Sequence, residues 1–255
     1  MKVSLLASGS KGNCCYVETS VGSFLIDIGM NCSYIESKLN SIEKTSRDID
    51  AVFITHTHSD HINGLKTFIK KYNPIIYLTE KIYKELSGSI YSENYVILEK
   101  ELIVDNLKVN VIKTSHDADD SNGFVFEDGN RSLVYITDTG YINIKNHNKL
   151  ANKNLYVLES NHDINMLMNN PKYPYYLKQR ILGDKGHLSN VDSAYYLAKF
   201  IGSNTQCIIL AHLSEHNNTK DLAFNTLIDT LNKECKKCNK ILIATQEERT
   251  ELIDV

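Results

Sequence analysis

The chain has 255 residues, 42% of them hydrophobic and 23% charged, and 28 basic against 31 acidic side chains leave a formal charge of −3. That length can bury a full core, and the composition is ordinary for a globular protein. It lacks the strongly basic balance of sequence-specific nucleic-acid binders, although a nucleic-acid substrate stays open if bound divalent ions supply local positive charge.

No apolar run approaches the roughly 20 residues needed to span a bilayer. The opening MKVSLLASGSKGN has an apolar stretch only from Val3 to Ala7, too short for the core of a secretory signal. Cys14 and Cys15 are adjacent, Cys32 and Cys207 stand alone, and only Cys235 and Cys238 form a C-x-x-C. With no second pair, they read as reduced thiols, and the expected location is the cytoplasm.

Taken in chain order, Val3–Ala7 reads as a strand, followed by a Gly/Ser turn and the strands Cys14–Thr19 and Ser23–Ile28. Ser33-x-x-Glu36 has the pattern of a capping box opening a helix to about Leu39. Ile49–Thr55 is an apolar strand, and Ile62–Tyr72 carries apolar residues at helical spacing. Strands are expected at Ile75–Leu78, Tyr95–Leu98, Leu102–Val104, Lys108–Lys113, Gly123–Glu127 and Ser132–Thr137, the last two joined by an Asp128-Gly129-Asn130 turn. Leu155–Glu159, Cys207–Ala211 and Ile241–Ala244 complete the strands. Tyr175–Leu182, Val191–Ile201 and Asp221–Leu231 read as helices. Strand-led halves with interspersed helices, and no linker, repeat or low-complexity tract, predict one α/β (α+β) domain over residues 1–255: a four-layer αββα sandwich.

The segment FITHTHSDHINGL puts His56, His58, Asp60 and His61 within one short loop, directly after a buried strand. Imidazole nitrogens and carboxylate oxygens are the ligands that zinc, manganese and iron accept, and a strand end is a rigid platform for them. Such a cluster is costly without a cation. One loop cannot complete two coordination spheres, so remote ligands should stand at other strand ends. His116, Asp138 and His212 each follow an apolar strand by one or a few residues.

The succession FLIDIG, THTHSDH, TSH, YITDTG and ILAHLS resembles the five ordered motifs of the metallo-β-lactamase superfamily over nearly the whole chain. The resemblance implies that His56, His58 and His116 hold one metal, that Asp60, His61 and His212 hold a second, and that Asp138 bridges them. Asp27 would steady the histidine loop. No cysteine occupies a ligand position, unlike much of the antibiotic-hydrolysing branch, and His58 stands where the flavo-diiron oxygen reductases carry glutamate. LESNHD, GHLSN and AHLSEHNN are similar to the late motifs of ribonuclease Z. SGSKGNCCYVET, HDADDSNGF and GHLSN with HLSEHNN resemble the YycJ/WalJ family more fully, which is described as DNA exonucleases acting from the 5′ end. The interval from Asp138 to His162 has no room for a tRNA-binding arm, and that from Asp138 to His212 none for a β-CASP domain.

The expected function is therefore a dinuclear phosphodiesterase, a 5′ to 3′ DNA exonuclease, in which two metals sharing a hydroxide supply the nucleophile. Asp60 belongs to the catalytic centre, and His162 or His187 would protonate the leaving oxygen. Two alternatives stand beside it: a hydrolase of small phosphodiesters or thioesters, and a non-catalytic regulatory module with structural metals. Among the other polar residues, Lys185 and Arg180 could contact phosphates, and Ser8, Ser10 and Asn13 could approach the metals. Asp117, Asp119 and Asp120 read as an acidic loop. His147 reads as surface and His216 as structural. Tyr175 and Tyr176 read as packing or surface residues, with stacking on bases as the alternative.

Overall fold

In the computed structural model, which describes residues 1–255, the strands form two seven-stranded sheets. The first holds β1 (Lys2–Ala7), β2 (Cys14–Thr19), β3 (Gly22–Ile26), β4 (Ala51–Phe53), β5 (Ile75–Leu78), β6 (Tyr95–Ile97) and the closing strand β14 (Ile253–Asp254), in the order β14-β1-β2-β3-β4-β5-β6. The second holds β7 (Glu101–Val104), β8 (Leu107–Lys113), β9 (Asn122–Asp128), β10 (Arg131–Ile136), β11 (Leu155–Glu159), β12 (Cys207–Ala211) and β13 (Lys240–Ile243), paired in reverse sequence order.

The two-residue period of a strand explains the layers. In β10, Leu133 and Tyr135 point into the space between the sheets, while Val134 and Ile136 point outward. In β12, Cys207, Ile209 and Ala211 point inward and Ile208 and Leu210 outward. Both faces are covered, so these strands read as continuous apolar runs. The outer face of the first sheet is covered by α1 (Cys32–Asn40), α3 (Leu65–Tyr72) and α4 (Glu80–Leu86), after the one-turn helix α2 (Ser59–Ile62). The outer face of the second is covered by α5 (His147–Leu150), α8 (Asn190–Phe200) and α9 (Lys220–Lys233). Two further helices, α6 (Ile164–Asn169) and α7 (Tyr175–Leu182), lie between β11 and α8. The architecture is the expected αββα sandwich, and no helix is long and apolar enough to cross a membrane.

Several local expectations shift. The cap of α1 is Asn31, whose side chain accepts the Tyr34 N–H at 2.9 Å, two residues before the expected Ser33. Glu36 instead accepts from Lys71 and Tyr72 on α3. The helix expected over 62–72 is two pieces broken at Gly64, so Asp60 and His61 sit in a helical turn rather than a loop. Helices α4 and α6 were not expected. Each is opened by a side-chain cap, Thr79 and Asp163 respectively.

Direction matters most for the site. Strands β10 to β13 are parallel, and β8 runs with β10 because β9 is antiparallel to both. Strands β3 and β4 are likewise parallel in the other sheet. The C-terminal ends of β8, β10, β11 and β12 therefore share one edge of the second sheet, and those of β3 and β4 one edge of the first.

Candidate metal centre

His56, His116, Asp138 and His212 stand one to three residues beyond these strand ends, His58, Asp60 and His61 follow at the start of α2, and the structure brings all of them together. The ligand atoms of His56, His58 and His116 lie within 4.8 Å of one another, as do those of Asp60, His61 and His212. Asp138 sits between the groups: its Oδ2 is 3.2 Å from His61 Nε2, and its Oδ1 is 3.8 Å from His116 Nε2 and 3.4 Å from His212 Nδ1.

Main-chain hydrogen bonds fix the HxHxDH segment. Asn13 N–H donates to Asp60 O, Ile28 N–H to His61 O and Gly64 N–H to Ile28 O, each at 2.8–2.9 Å. Gly29 is required here, since a Cβ would lie 1.6 Å from Asp60 O. Asp27, fully buried with φ +61°, accepts from Thr55 N–H at 2.9 Å, Thr55 O–H at 2.7 Å and His61 Nδ1 at 2.7 Å.

The tautomers follow from such partners. Thr55 spends its proton on Asp27, so its oxygen accepts from His56 Nδ1 at 3.0 Å. His116 Nδ1 donates to Gly186 O at 3.2 Å, and His212 Nδ1 donates to Glu159 Oε1 at 2.8 Å. Four imidazoles are thus pinned at Nδ1 and turn Nε2 toward the same space. The buried Nε2 atoms of His56 and His212 and Oδ2 of Asp138 have no hydrogen-bond partner. Lone pairs converging in a buried space repel each other, and a divalent cation resolves the arrangement. The residues present therefore fit divalent metal binding.

The electrostatics agree. Burial, reinforced by His61, pushes His56 well below the usual histidine range and keeps its lone pair free. Burial also opposes charge on His61 and His212, but Asp138 with Asp27 and Asp138 with Asp60 and Glu159 outweigh it, and His212 is pushed up to about 10. Burial disfavours charge on Asp60 and Asp138 too, yet the neighbouring histidines hold both below the usual carboxylate range. Those protons stand where cations would.

An open pocket of about 280 Å³ lies over the cluster, lined by His58, Asp60, His116, Asp138 and His212 together with Ser10, Asp117, Arg180, Lys185 and His187. His187 reaches it as a potential proton donor: its Nδ1 donates to Glu159 Oε1 at 2.7 Å, which leaves Nε2 as the free ring nitrogen. His162 does not line the pocket. Its ring is 1% exposed, both ring nitrogens lack partners, and burial pulls it down to about 4.

Glu159 was missed in the sequence. It is fully buried at the end of β11 and accepts four hydrogen bonds: from His187 and His212, and from the N–H groups of Thr139 at 3.0 Å and Leu188 at 3.1 Å. Burial opposes its charge, but His187, joined by the hydrogen bond from His212, holds its pKa at about 2. The signal was available, since LESNHD places this carboxylate at a strand end as the other motifs place theirs. Asp117, part of the expected acidic loop, lines the pocket 3.3 Å from His116 Nε2 and is ion-paired with Arg180. Asn13 lies 3.1 Å from both Asp60 Oδ2 and His61 Nε2, and Ser8 Oγ accepts the His212 N–H at 2.8 Å. His147 and His216 lie elsewhere, against Phe200 and Tyr173.

Fold and site together define a metallohydrolase-type sandwich, and the chain belongs to the metallo-β-lactamase superfamily: the family described as a beta-lactamase superfamily domain matches residues 24–212. Within it, the chain is of the WalJ/YycJ type. It is 38% identical over 237 residues to the exodeoxyribonuclease WalJ of Streptococcus pneumoniae serotype 2 (strain D39 / NCTC 7466), covering 90% of this chain and 88% of that protein. Identity to the exodeoxyribonuclease YycJ of Bacillus anthracis is 38% over 225 residues, with 86% and 85% covered. Among solved structures, the metallo-β-lactamase fold protein YhfI of Bacillus subtilis superposes with a TM-score of 0.73 at 16% identity, covering 98% of this chain and 99% of that one.

Proposed function

We propose that this chain is a metal-dependent DNA exonuclease removing nucleotides from the 5′ end, acting as one hydrolase domain over residues 1–255. The observation that carries the reading is the Glu159–His187 pair beside two ligand groups that share Asp138. The exodeoxyribonuclease relatives, 38% identical over most of their length, support DNA as the substrate. The proton-donating pair argues against a purely structural metal module, which would have no use for it.

In this reading His56, His58 and His116 hold one divalent ion, Asp60, His61 and His212 hold another, and Asp138 serves both. Zinc, manganese and iron all suit a His/Asp set without thiolate. Such ions polarise phosphate oxygens and make water a nucleophile at neutral pH. The chain's own residues do the rest. Glu159 orients His212 and His187 with one oxygen and is itself locked by two backbone N–H groups through the other. Although burial disfavours a charged ring, Glu159 raises the pKa of His187. The protonated ring can then deliver its Nε2 proton to the departing alkoxide. Six free cysteines, four of them buried, support a reducing compartment such as the cytoplasm.

The test is degradation of end-labelled DNA by the purified protein with manganese, zinc or iron, beside an Asp60→Ala/His61→Ala control. Metal-dependent loss of 5′-terminal nucleotides, absent in the control, is the expected result. Intact DNA with confirmed metal occupancy would overturn the nuclease reading.

A further inference from the structure

Two permanent cations, Arg180 and Lys185, line the metal pocket, and they are used differently. Arg180 is ion-paired with Asp117, whose other oxygen stands 3.3 Å from His116 Nε2 and 3.8 Å from His58 Nε2. Its charge is committed to holding a carboxylate beside the histidines. The pocket's remaining carboxylates are matched too, since Asp60 and Asp138 face His61 and His212. Lys185 is exposed, and its Nζ makes no ion pair and donates to no protein acceptor. Among the side chains of this pocket it carries the one unmatched permanent charge.

The backbone fixes where that charge stands. Lys185 lies in the tight turn after α7, in which Gly186 N–H donates to Gly183 O at 2.8 Å and His187 N–H to Ile181 O at 3.0 Å. A Cβ at Gly186 would lie 2.1 Å from Ile181 O, so the turn demands glycine. Gly186 O in turn accepts from His116 Nδ1 at 3.2 Å. The lysine is therefore anchored through its neighbour to a histidine of the cluster, and only its flexible stem is free to move.

Depth assigns the partner. His116, Asp138 and His212 are buried, so a phosphate bound over them lies on the pocket floor, whereas Lys185 stands at the open mouth. A nucleic-acid strand carries a phosphate at every step, and with one phosphate on the floor it presents the next nearer the mouth. An unpaired ammonium, a compact point charge, matches such an oxygen.

We propose that Lys185 holds a phosphate neighbouring the one being hydrolysed, so that the pocket grips its substrate at two phosphates. The proposal rests on the nuclease reading above and deepens it, making Lys185 a residue that favours a polynucleotide over a diester with a single phosphate.

Fluorescence anisotropy of the metal-loaded enzyme with a phosphorothioate-protected DNA duplex, repeated at several salt concentrations, reads binding apart from cleavage. One phosphate contact contributes roughly 0.9 to the slope of log K against log salt. Lys185→Gln should lower the slope by about that amount and weaken binding at low salt by about three- to tenfold. Lys185→Arg should retain both. Lys172→Gln, which removes a free charge outside the metal pocket, should match the parent. In turnover, Lys185→Gln should raise KM for DNA far more than KM for bis(p-nitrophenyl) phosphate, which has one phosphate. An unchanged slope in Lys185→Gln, or an equal drop in Lys172→Gln, would overturn the assignment. Equal losses on DNA and on the small diester would also overturn it, by placing Lys185 at the scissile phosphate. DNA cleavage with a slope indifferent to Lys185 would leave the nuclease reading standing without the proposal. A slope that depends on Lys185, without metal-dependent cleavage, would leave the phosphate contact standing and remove the nuclease reading.

Discussion

Glu159→Gln changes one atom's chemistry at the point where the two histidines meet. The carboxylate accepts four N–H groups, two on each oxygen, at 2.7–3.1 Å. A glutamine has one accepting oxygen. If its amide group faces Thr139 and Leu188, two buried backbone donors meet a donor. If it faces His187 and His212, their rings must shed the Nδ1 proton, and His212 then carries it on the nitrogen meant for metal. The first orientation leaves two buried groups unmatched at about 1–3 kcal/mol each, a destabilisation of roughly 2–6 kcal/mol, and the second costs His212 its Nε2 lone pair. Removal of an effective general acid costs a further ~10²- to 10⁴-fold in rate. Glu159 is a positioning residue, so the telling readout is leaving-group dependence. DNA, with a basic alkoxide leaving group, should lose the full factor, while bis(p-nitrophenyl) phosphate, whose phenolate leaves unaided, should lose far less. Parallel losses on both substrates at unchanged metal content would refute the proton-delivery argument.

Asp138→Asn should lower the bound metal at both ligand groups, whereas Asp60→Ala should affect chiefly the Asp60–His61–His212 group; elemental analysis after dialysis reads the difference. Gly29→Ala forces a Cβ against the Asp60 backbone and should cost about 1–3 kcal/mol or more, seen as a lowered Tm together with weakened metal retention. His162→Leu should keep DNA hydrolysis, and its loss with metal intact would return His162 to the mechanism. The same variant tests a pH effect. Burial holds the native His162 pKa at about 4, so as pH falls from about 6.5 toward 4 the unfolded chain takes up a proton that the fold refuses. Stability should decline over that window by up to about 3 kcal/mol, and denaturant titrations of His162→Leu should lack that part of the acid limb.

The layers were legible because strands and helices bury in different periods: two-sided apolar runs such as CIILA announce a covered sheet. The proposed metal ligands were legible through the same pattern, since His56, Asp138 and His212 stand close behind apolar runs. What escaped depends on hydrogen-bond partners rather than on pattern. Ser33-x-x-Glu36 satisfies a capping rule, but Asn31 is nearer the helix start and captures the Tyr34 N–H first. Within LESNHD, histidine looked the more chemical choice. The parallel register of β10, β11 and β12 carries Glu159 to the site, while His162 lies buried beyond the strand end.

Backbone conformation adds a reason why the site needs the residues it has. Asp27, Asp138 and His212 follow β3, β10 and β12 and adopt φ of 61°, 53° and 56°, the left-handed region. A residue so placed turns the chain out of the strand and swings its side chain over the sheet edge. Non-glycine residues there cost roughly 1–2 kcal/mol each. Glycine would remove that cost and the function with it, having no side chain to deliver. Asp and His are among the residues that tolerate this conformation best, and they are also good metal ligands. Three of the chain's eight non-glycine residues with positive φ thus converge on one site. Each is held by surrounding structure: Asp27 by Thr55 and His61, His212 by Ser8 and Glu159, Asp138 by its histidines. A bound cation would add to that hold most strongly at Asp138, whose contacts come from the ligand histidines themselves. Asp138 is therefore the position where metal removal should loosen the backbone first.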